Sequence, residues 1–222
     1  MKSFDKIWEQ IHQEMDWGKY PPEEVIRFVA RNYYNKDRKN IKMLEIGCGG
    51  GAVTWFLSRE GFNVFALDGS ETAVAKTKQR LSEENVKAEV FVSDASLISV
   101  ASESYDCVID SAVIYANKIE GIEKILEECY RVLGTGGKLF SSGLFESKMT
   151  GYGTGEELEE NTYRELTEGA LAHRGTVHFF SEDEIRDRWK RAGFRDLKID
   201  HITRTDCGGE IEIRYFIVEA TK

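Results

Sequence analysis

Early in the chain stands Met43-Leu44-Glu45-Ile46-Gly47-Cys48-Gly49-Gly50-Gly51-Ala52-Val53-Thr54. Met43, Leu44 and Ile46 form a short apolar run with one acid, Glu45, inside it. Four glycines follow, at positions 47, 49, 50 and 51. Val53, Phe56 and Leu57 then recur at spacings that put them on one face of a helix. The order is therefore strand, glycine turn and helix N-terminus. Glycine admits positive φ and lets a ligand approach the backbone with no Cβ in the way. The first N–H groups of the helix, with its dipole, favour negative or polar groups there.

Working outward, the same alternation continues. Residues 62–67 read as a second strand, closed by Asp68-Gly69-Ser70, with a helix from Glu71 to about Ser82. A third strand over 86–92 ends at Ser93-Asp94-Ala95, and a fourth over 105–109 ends at Asp110-Ser111. Residues 119–133 carry Ile122, Ile125, Leu126, Cys129 and Val132 on one helical side. Glycines at 134, 136 and 137 break that helix before a fifth strand, 138–144. Strands alternating with helices imply crossover connections and a mostly parallel sheet covered on both faces. Ligands of such sheets bind at the carboxyl ends of the strands, near the switch point. Glu45 to Gly51, Asp68, Asp94 and Asp110 all fall on that edge.

Before the core, Phe4, Ile7, Trp8 and Ile11 predict a short helix. The turn Trp17-Gly18-Lys19-Tyr20-Pro21-Pro22 leads into a second helix with acids in its first turn. After the core, residues 156–171 read as an acidic helical run, and Thr176 to Phe180 as a strand. Ser181 with Glu184 forms a capping box for a last helix to about Ala192. Residues 194–203 and 210–219 predict an antiparallel pair.

Composition bounds the function. With 222 residues, 41% hydrophobic and 31% charged, the chain is of globular type and long enough for a sizeable core. A net charge of −9 argues against a broad nucleic-acid or anionic-membrane surface. The four cysteines, 48, 107, 129 and 207, are far apart, and the expected state is reduced thiols. No secretory leader pattern and no apolar run of about 18 residues is seen. A cytoplasmic protein, monomer or homodimer, is expected. No pairing of His, Cys, Asp and Glu has metal-ligand spacing, so no metal is expected.

The turn by itself leaves two cofactors open. Read as Gly-x-Gly-x-x-Ala with Asp68 some way on, it fits a dinucleotide fingerprint and a nicotinamide-dependent oxidoreductase. Read as Glu-x-Gly-x-Gly-x-Gly from Glu45, it resembles motif I of the class I S-adenosylmethionine-dependent methyltransferases. Asp94, the run 105–112, and Arg131-Val132-Leu133 through Gly136-Gly137-Lys138-Leu139 are similar to later elements of that family. The resemblance implies a Rossmann-like α/β fold. This is a three-layer αβα sandwich with a mostly parallel seven-stranded sheet and an antiparallel C-terminal strand. It implies one domain over 1–222: N-terminal helices in 1–40, cofactor core in 41–144, a substrate cap in 145–180, and a closing helix with strands in 181–222.

It also implies roles. Gly47, Cys48 and Gly49 would pass close to the methionine part of S-adenosyl-L-methionine, and Glu45 would order the loop or meet the ammonium. Asp68 would accept the ribose hydroxyls, Gly69 and Ser70 would lie beside the adenine, and Asp94 with the Ala95 N–H would meet the adenine edge. Asp110 or its backbone carbonyl would face the amino group, and Tyr20 would close over the cofactor. Tyr115 is an acceptor-facing candidate. His173, Arg174 and His178 are candidates for a base and an anion clamp, with His178 the foremost base. The expected acceptor is a small molecule, O- or N-methylated, with no nucleic-acid or membrane partner. A cofactor-binding module without turnover is the non-enzymatic alternative.

Overall fold

The computed structural model of the protein describes residues 3–222. Met1 and Lys2, at the start of the expected N-terminal segment, lie outside the described residues. Two helices, α1 (Ile7–Glu14) and α2 (Glu23–Tyr33), precede the alternating core. The core runs β1 (Lys42–Ile46), α3 (Ala52–Arg59), β2 (Asn63–Asp68), α4 (Glu71–Glu83), β3 (Glu89–Val92), β4 (Tyr105–Ser111), α5 (Ile119–Val132) and β5 (Leu133–Phe145). Then come three short strands, β6 (Glu156–Glu159), β7 (Thr162–Arg164) and β8 (Thr176–His178). Helix α6 (Glu182–Arg191) and the long strands β9 (Arg195–Asp206) and β10 (Ile211–Thr221) finish the chain.

Seven strands form one sheet in the order β3-β2-β1-β4-β5-β10-β9. All neighbours pair in parallel except β10, which runs antiparallel to both β5 and β9. The sheet is sandwiched because its apolar residues alternate sides. Met43, Cys107 and Ile109 pack with Phe28, Leu57 and Leu81 of α2, α3 and α4. Leu44, Ile46 and Val108 pack with Ile122, Leu126 and Trp189 of α5 and α6. Between β1 and β4 the strand order reverses, which opens the crevice where a ligand belongs.

Two sequence expectations are corrected. The glycines at 134, 136 and 137 do not separate helix from strand. Leu133 already pairs with Tyr105, and the register then jumps to Lys138 opposite Cys107, leaving the glycines as a bulge inside β5. The acidic run from 156 is a hairpin, not a helix. Glu157 pairs with Tyr163 across a turn in which Asn161 takes φ +58°. Tyr163 and Thr162 are buried there. Acid-rich composition mimics helix propensity, but a buried aromatic cluster of Tyr152, Tyr163 and Phe179 decides the local structure.

Candidate active site

At the end of β1 the chain turns through Gly47 (φ +68°), Gly49 (φ +49°) and Gly51 (φ +78°) into α3. The Cys48 N–H donates to the Leu67 carbonyl at 2.9 Å, which ties the turn to β2. A Cβ at Gly47 would lie 2.2 Å from Val113 Cγ2. Only glycine therefore lets this turn meet the segment after β4. Burial pushes the Cys48 thiol well above its ordinary pKa, so it is no nucleophile.

Three acids stand along this edge. Glu45 is buried, and the Thr54 hydroxyl of α3 donates to its carboxylate. Burial nevertheless pushes its pKa up to about 8. Asp68 accepts from the N–H of Ser70 and of Gly49, each at 2.9 Å. Burial raises its pKa while these two bonds and His12 pull the other way. Each carboxylate oxygen keeps a lone pair for a further donor. Asp94 accepts from the Ser3 hydroxyl, from Phe4 N–H at 3.0 Å, and from Ser96 N–H and hydroxyl at 2.9 and 2.7 Å. Burial opposes its ionisation, but the bonds from Ser3, Ser96 and Phe4 outweigh it and hold the carboxyl below the usual range.

The N-terminal segment roofs this edge. Glu9 of α1 accepts from the Ser70 and Thr72 hydroxyls at the start of α4, which hold its pKa down to about 2. A Cβ at Gly69 would strike the Phe4 ring at 2.2 Å. His12 is buried, its imidazole edge-on to Trp17 and tilted against Trp8. Burial lowers its pKa, with Asp68 opposing, so the ring is held neutral. Its Nδ1 has no partner among the described residues. Arg80 of α4 fixes the following loop, donating to the Gly50 carbonyl at 2.8 Å and the Lys19 carbonyl at 2.7 Å.

Between sheet edge and roof lies a cavity of about 330 Å³, within the range of small-molecule sites. Of the residues expected from the sequence, Glu45, Gly47, Cys48, Gly49, Asp68 and Gly69 line it. So do Asp94, Ala95, Tyr115 and, at the exposed mouth, Tyr20. Four expected residues do not, and one of them, His173, is an exposed loop residue beside Glu165. Ser70 is fully buried as the N-cap of α4, accepting from Ala73 N–H and donating to Glu9, so its hydroxyl is spent on structure. Asp110 is fully buried and accepts from Val113 and Ile114 N–H at 2.9 and 3.3 Å. It shapes the loop that lines the cavity instead of facing the cavity itself, and burial raises its pKa to about 7. His178 is buried between the Thr162 hydroxyl at 2.6 Å and Glu184 at 2.9 Å, away from the cavity. His12, Trp8, Asn117 and Phe4 line it without having been singled out from the sequence. An i, i+4 pair of Trp8 and His12 on α1 is a signal, but only docking of α1 across the sheet gives it meaning.

Tyr115 stands just past β4, edge-to-face with Phe145 at 4.8 Å between centroids. Burial pushes its phenol above the ordinary value, with Arg174 pulling it back. The acid edge and this aromatic wall share one space. Gly47 leaves the backbone open there, Glu45 brings a buried carboxyl, and Asp68 brings two carboxylate oxygens.

Comparison with known proteins agrees. Residues 43–137 match a family model described as a methyltransferase domain. The tRNA N(3)-methylcytidine methyltransferase Mettl2 of Drosophila melanogaster is 27% identical over 71% of this chain and 50% of its own length. A ubiquinone biosynthesis O-methyltransferase of Mesorhizobium japonicum is 28% identical over 46% of this chain and 40% of its own. The chain thus spans about half the length, or less, of these curated relatives. Among solved structures, a SAM-dependent methyltransferase from Methanosarcina mazei superposes with TM-score 0.68 at 19% identity, covering 87% of this chain and 96% of that one. The Haemonchus contortus phosphoethanolamine N-methyltransferase 2, in complex with S-adenosyl-L-methionine, gives 0.68 at 17% identity over 97% of this chain and 56% of that one. By its strand order, its glycine turn and these likenesses, the chain has the fold of the class I S-adenosylmethionine-dependent methyltransferases and carries a methyltransferase domain over residues 43–137.

Proposed function

We propose that the protein transfers the methyl group of S-adenosylmethionine to a small-molecule acceptor at an oxygen or nitrogen. The observation that carries this reading is the continuity of the cavity. The carboxylate edge of Glu45, Asp68 and Asp94 opens onto a wall of Trp8, Trp17 and Tyr115 with no barrier between them. The cofactor supplies an electrophilic methyl on a sulfonium, so the protein's work is to position the acceptor and exclude water. In this reading Asp68 holds ribose hydroxyls, the turn at Gly47 to Gly49 carries the methionine end, and Glu45 meets the ammonium. Asp94 would receive the adenine amine where it now holds Ser3 and Phe4. The neutral His12 can take a proton from a hydroxyl or ammonium acceptor without first losing one itself.

The assay is direct. The full chain is incubated with methyl-labelled S-adenosylmethionine and a library of small hydroxyl- and amine-bearing acceptors, and label transfer is counted. A parallel thermal-shift series compares S-adenosylmethionine, S-adenosylhomocysteine and NAD(H). Label transfer to any library member supports turnover. Stabilisation by the adenosyl ligands with no transfer to any acceptor would favour a binding module.

A second reading, a tRNA cytidine acceptor, is favoured by relatives such as Mettl2 that match 71% of the chain. Against it stand the net charge of −9 and a cavity wall that, among the described residues, has four carboxylates and a single arginine, a poor surface for a polyanion. Including unmodified tRNA among the acceptors decides between the two.

A further inference from the structure

Among the described residues Arg174 is the one lysine or arginine that lines the cavity, against Asp5, Glu45, Asp68 and Asp94. Elsewhere the partly buried arginines are paired. Arg188 bonds Glu184 and Glu123 at 2.7 Å, and Arg131 bonds Glu128 and two carbonyls. Arg174 makes no ion pair or side-chain hydrogen bond among the described residues. Its guanidinium lies 4.8 Å from the Trp17 ring centroid. A guanidinium carries five donors in a planar fork suited to carboxylate and phosphate. Here that fork lies over an indole, and its donors have no acceptor among the described residues.

The backbone holds it in place. His173 takes φ +58° and Gly175 φ +71° on either side of it. The His173 N–H donates to the Leu166 carbonyl at 2.9 Å, and the Glu165 N–H to the Gly175 carbonyl at 3.0 Å. Left-handed backbone at a non-glycine residue is strained and persists only where the surroundings hold it. Gly175 presses on the roof, where a Cβ would lie 2.6 Å from Ile7 Cγ2 and 3.2 Å from Asp5 Oδ2. Asp5, beside Gly175, accepts from Ile7 N–H at 3.2 Å.

We propose that Arg174 and Trp17 form an anion-and-ring subsite for the acceptor. The acceptor is then a small planar molecule carrying a carboxylate or phosphate. This rests on the methyl-transfer reading above. The rival anion is the cofactor's own carboxylate. That group already has the unpaired N–H groups opening α3, where Ala52 and Val53 line the cavity. Arg174 comes from the loop between β7 and β8 and also acts on Tyr115, just past β4.

The test uses the full chain saturated with S-adenosylhomocysteine and titrated calorimetrically. The probes are para-hydroxybenzoate, phenyl phosphate, and the neutral para-hydroxybenzamide and phenol. The anions should bind about tenfold or more tighter than the neutral partners, and the better anion identifies carboxylate or phosphate as the recognised group. Arg174→Gln should erase that preference, Arg174→Lys should keep part of it, and neither should change S-adenosylhomocysteine affinity. Equal binding of anionic and neutral probes, or a preference that survives in Arg174→Gln, overturns the proposal. So does a loss of S-adenosylhomocysteine affinity in Arg174→Gln with methylthioadenosine binding unchanged, because the arginine would then serve the cofactor's carboxylate. If wild type binds neither adenosyl ligand, the methyl-transfer reading fails instead, and the anion preference is read on the ligand-free chain. Circular dichroism and thermal melting of each variant keep a folding defect separate from these outcomes.

Discussion

Asp68 does two jobs with one carboxylate. Its oxygens accept from Gly49 and Ser70 N–H, which holds the glycine turn against β2, and their remaining lone pairs face the cavity. Loss of a buried charged hydrogen bond costs about 1–3 kcal/mol, so Asp68→Ala should weaken S-adenosylmethionine binding by roughly 5- to 150-fold in calorimetry. Asp68→Asn keeps an acceptor for the turn and should lose affinity with less loss of thermal stability. An unchanged dissociation constant in folded Asp68→Ala would remove Asp68 from the cofactor's contacts. At this scale the sequence was legible where function is local. Strand end, acid and glycine turn sit within a few residues of each other, so Glu45, Gly47, Gly49 and Asp68 could be placed on one edge before any fold was known. Ser70 and Asp110 show the limit of that locality, since their side chains make structural hydrogen bonds. Both lie at the correct strand ends, but capping α4 and shaping the 113–114 turn are equally good uses of a short polar side chain. Position along a strand does not say which way such a side chain points. His12 and Arg174 reach the cavity only through tertiary docking, so no local pattern marks them as neighbours.

Among elements, α6 and the β6–β7–β8 sheet show what the extra length after β5 is tied to. His178 of β8 bonds Thr162 of β7 and Glu184 of α6, and Arg188 carries the chain on to Glu123 of α5. One buried polar network thus joins the small sheet to two helices. The capping box expected at Ser181 is half made. Its hydroxyl accepts from Glu184 N–H at 3.2 Å, while the Glu184 carboxylate turns to His178 and Arg188. His178→Ala strands Thr162 and Glu184 and should cost about 1–3 kcal/mol in urea unfolding. S-adenosylhomocysteine affinity and turnover of the folded enzyme should persist. His178→Gln, which retains two polar ends, should recover part of the stability. Full stability with lost turnover would instead return His178 to the acceptor side. The main sheet was readable from sequence because each strand has its own apolar run and its own terminating acid or glycine. The 156–164 hairpin was not, because its strands are short, acidic and stabilised by aromatic contacts with residues far along the chain.

Taken as a whole, the molecule keeps two carboxyl groups, Glu45 and Asp110, inside its core near the switch point. Their pKa values are raised to about 8 and about 7 by burial. The unfolded chain ionises both near 4. For a folded value raised above the unfolded one, the contribution to stability is complete below the unfolded pKa and is lost as pH rises towards the folded pKa. The ligand-free protein should therefore lose the Glu45 contribution between about pH 4 and pH 8, and that of Asp110 between about pH 4 and pH 7. His12 has the reverse sign. Its folded pKa is lowered by burial, so its contribution is present above about pH 6.5 and is lost as pH falls below it. Other acids, Glu9 and Asp94 among them, have lowered values and also favour the fold at higher pH, so wild-type melting alone does not isolate the buried pair. Paired variants do. The melting temperature of Glu45→Gln minus that of wild type should climb steadily from pH 5 to pH 8, and that of Asp110→Asn should climb and level off near pH 7. In the proposed reading, S-adenosylmethionine would bring a cation to the cavity and favour the charged form of Glu45. Wild-type affinity should then rise between pH 6 and pH 7.5 with release of a proton, visible as buffer-dependent binding heat. Glu45→Gln should show neither effect. Parallel melting curves for wild type and Glu45→Gln across the range would mean that Glu45 is ionised in the empty protein. Equal proton release by both proteins would move the linkage to another group, and Asp68 and His12, packed against the same ligand edge, would be the next to replace.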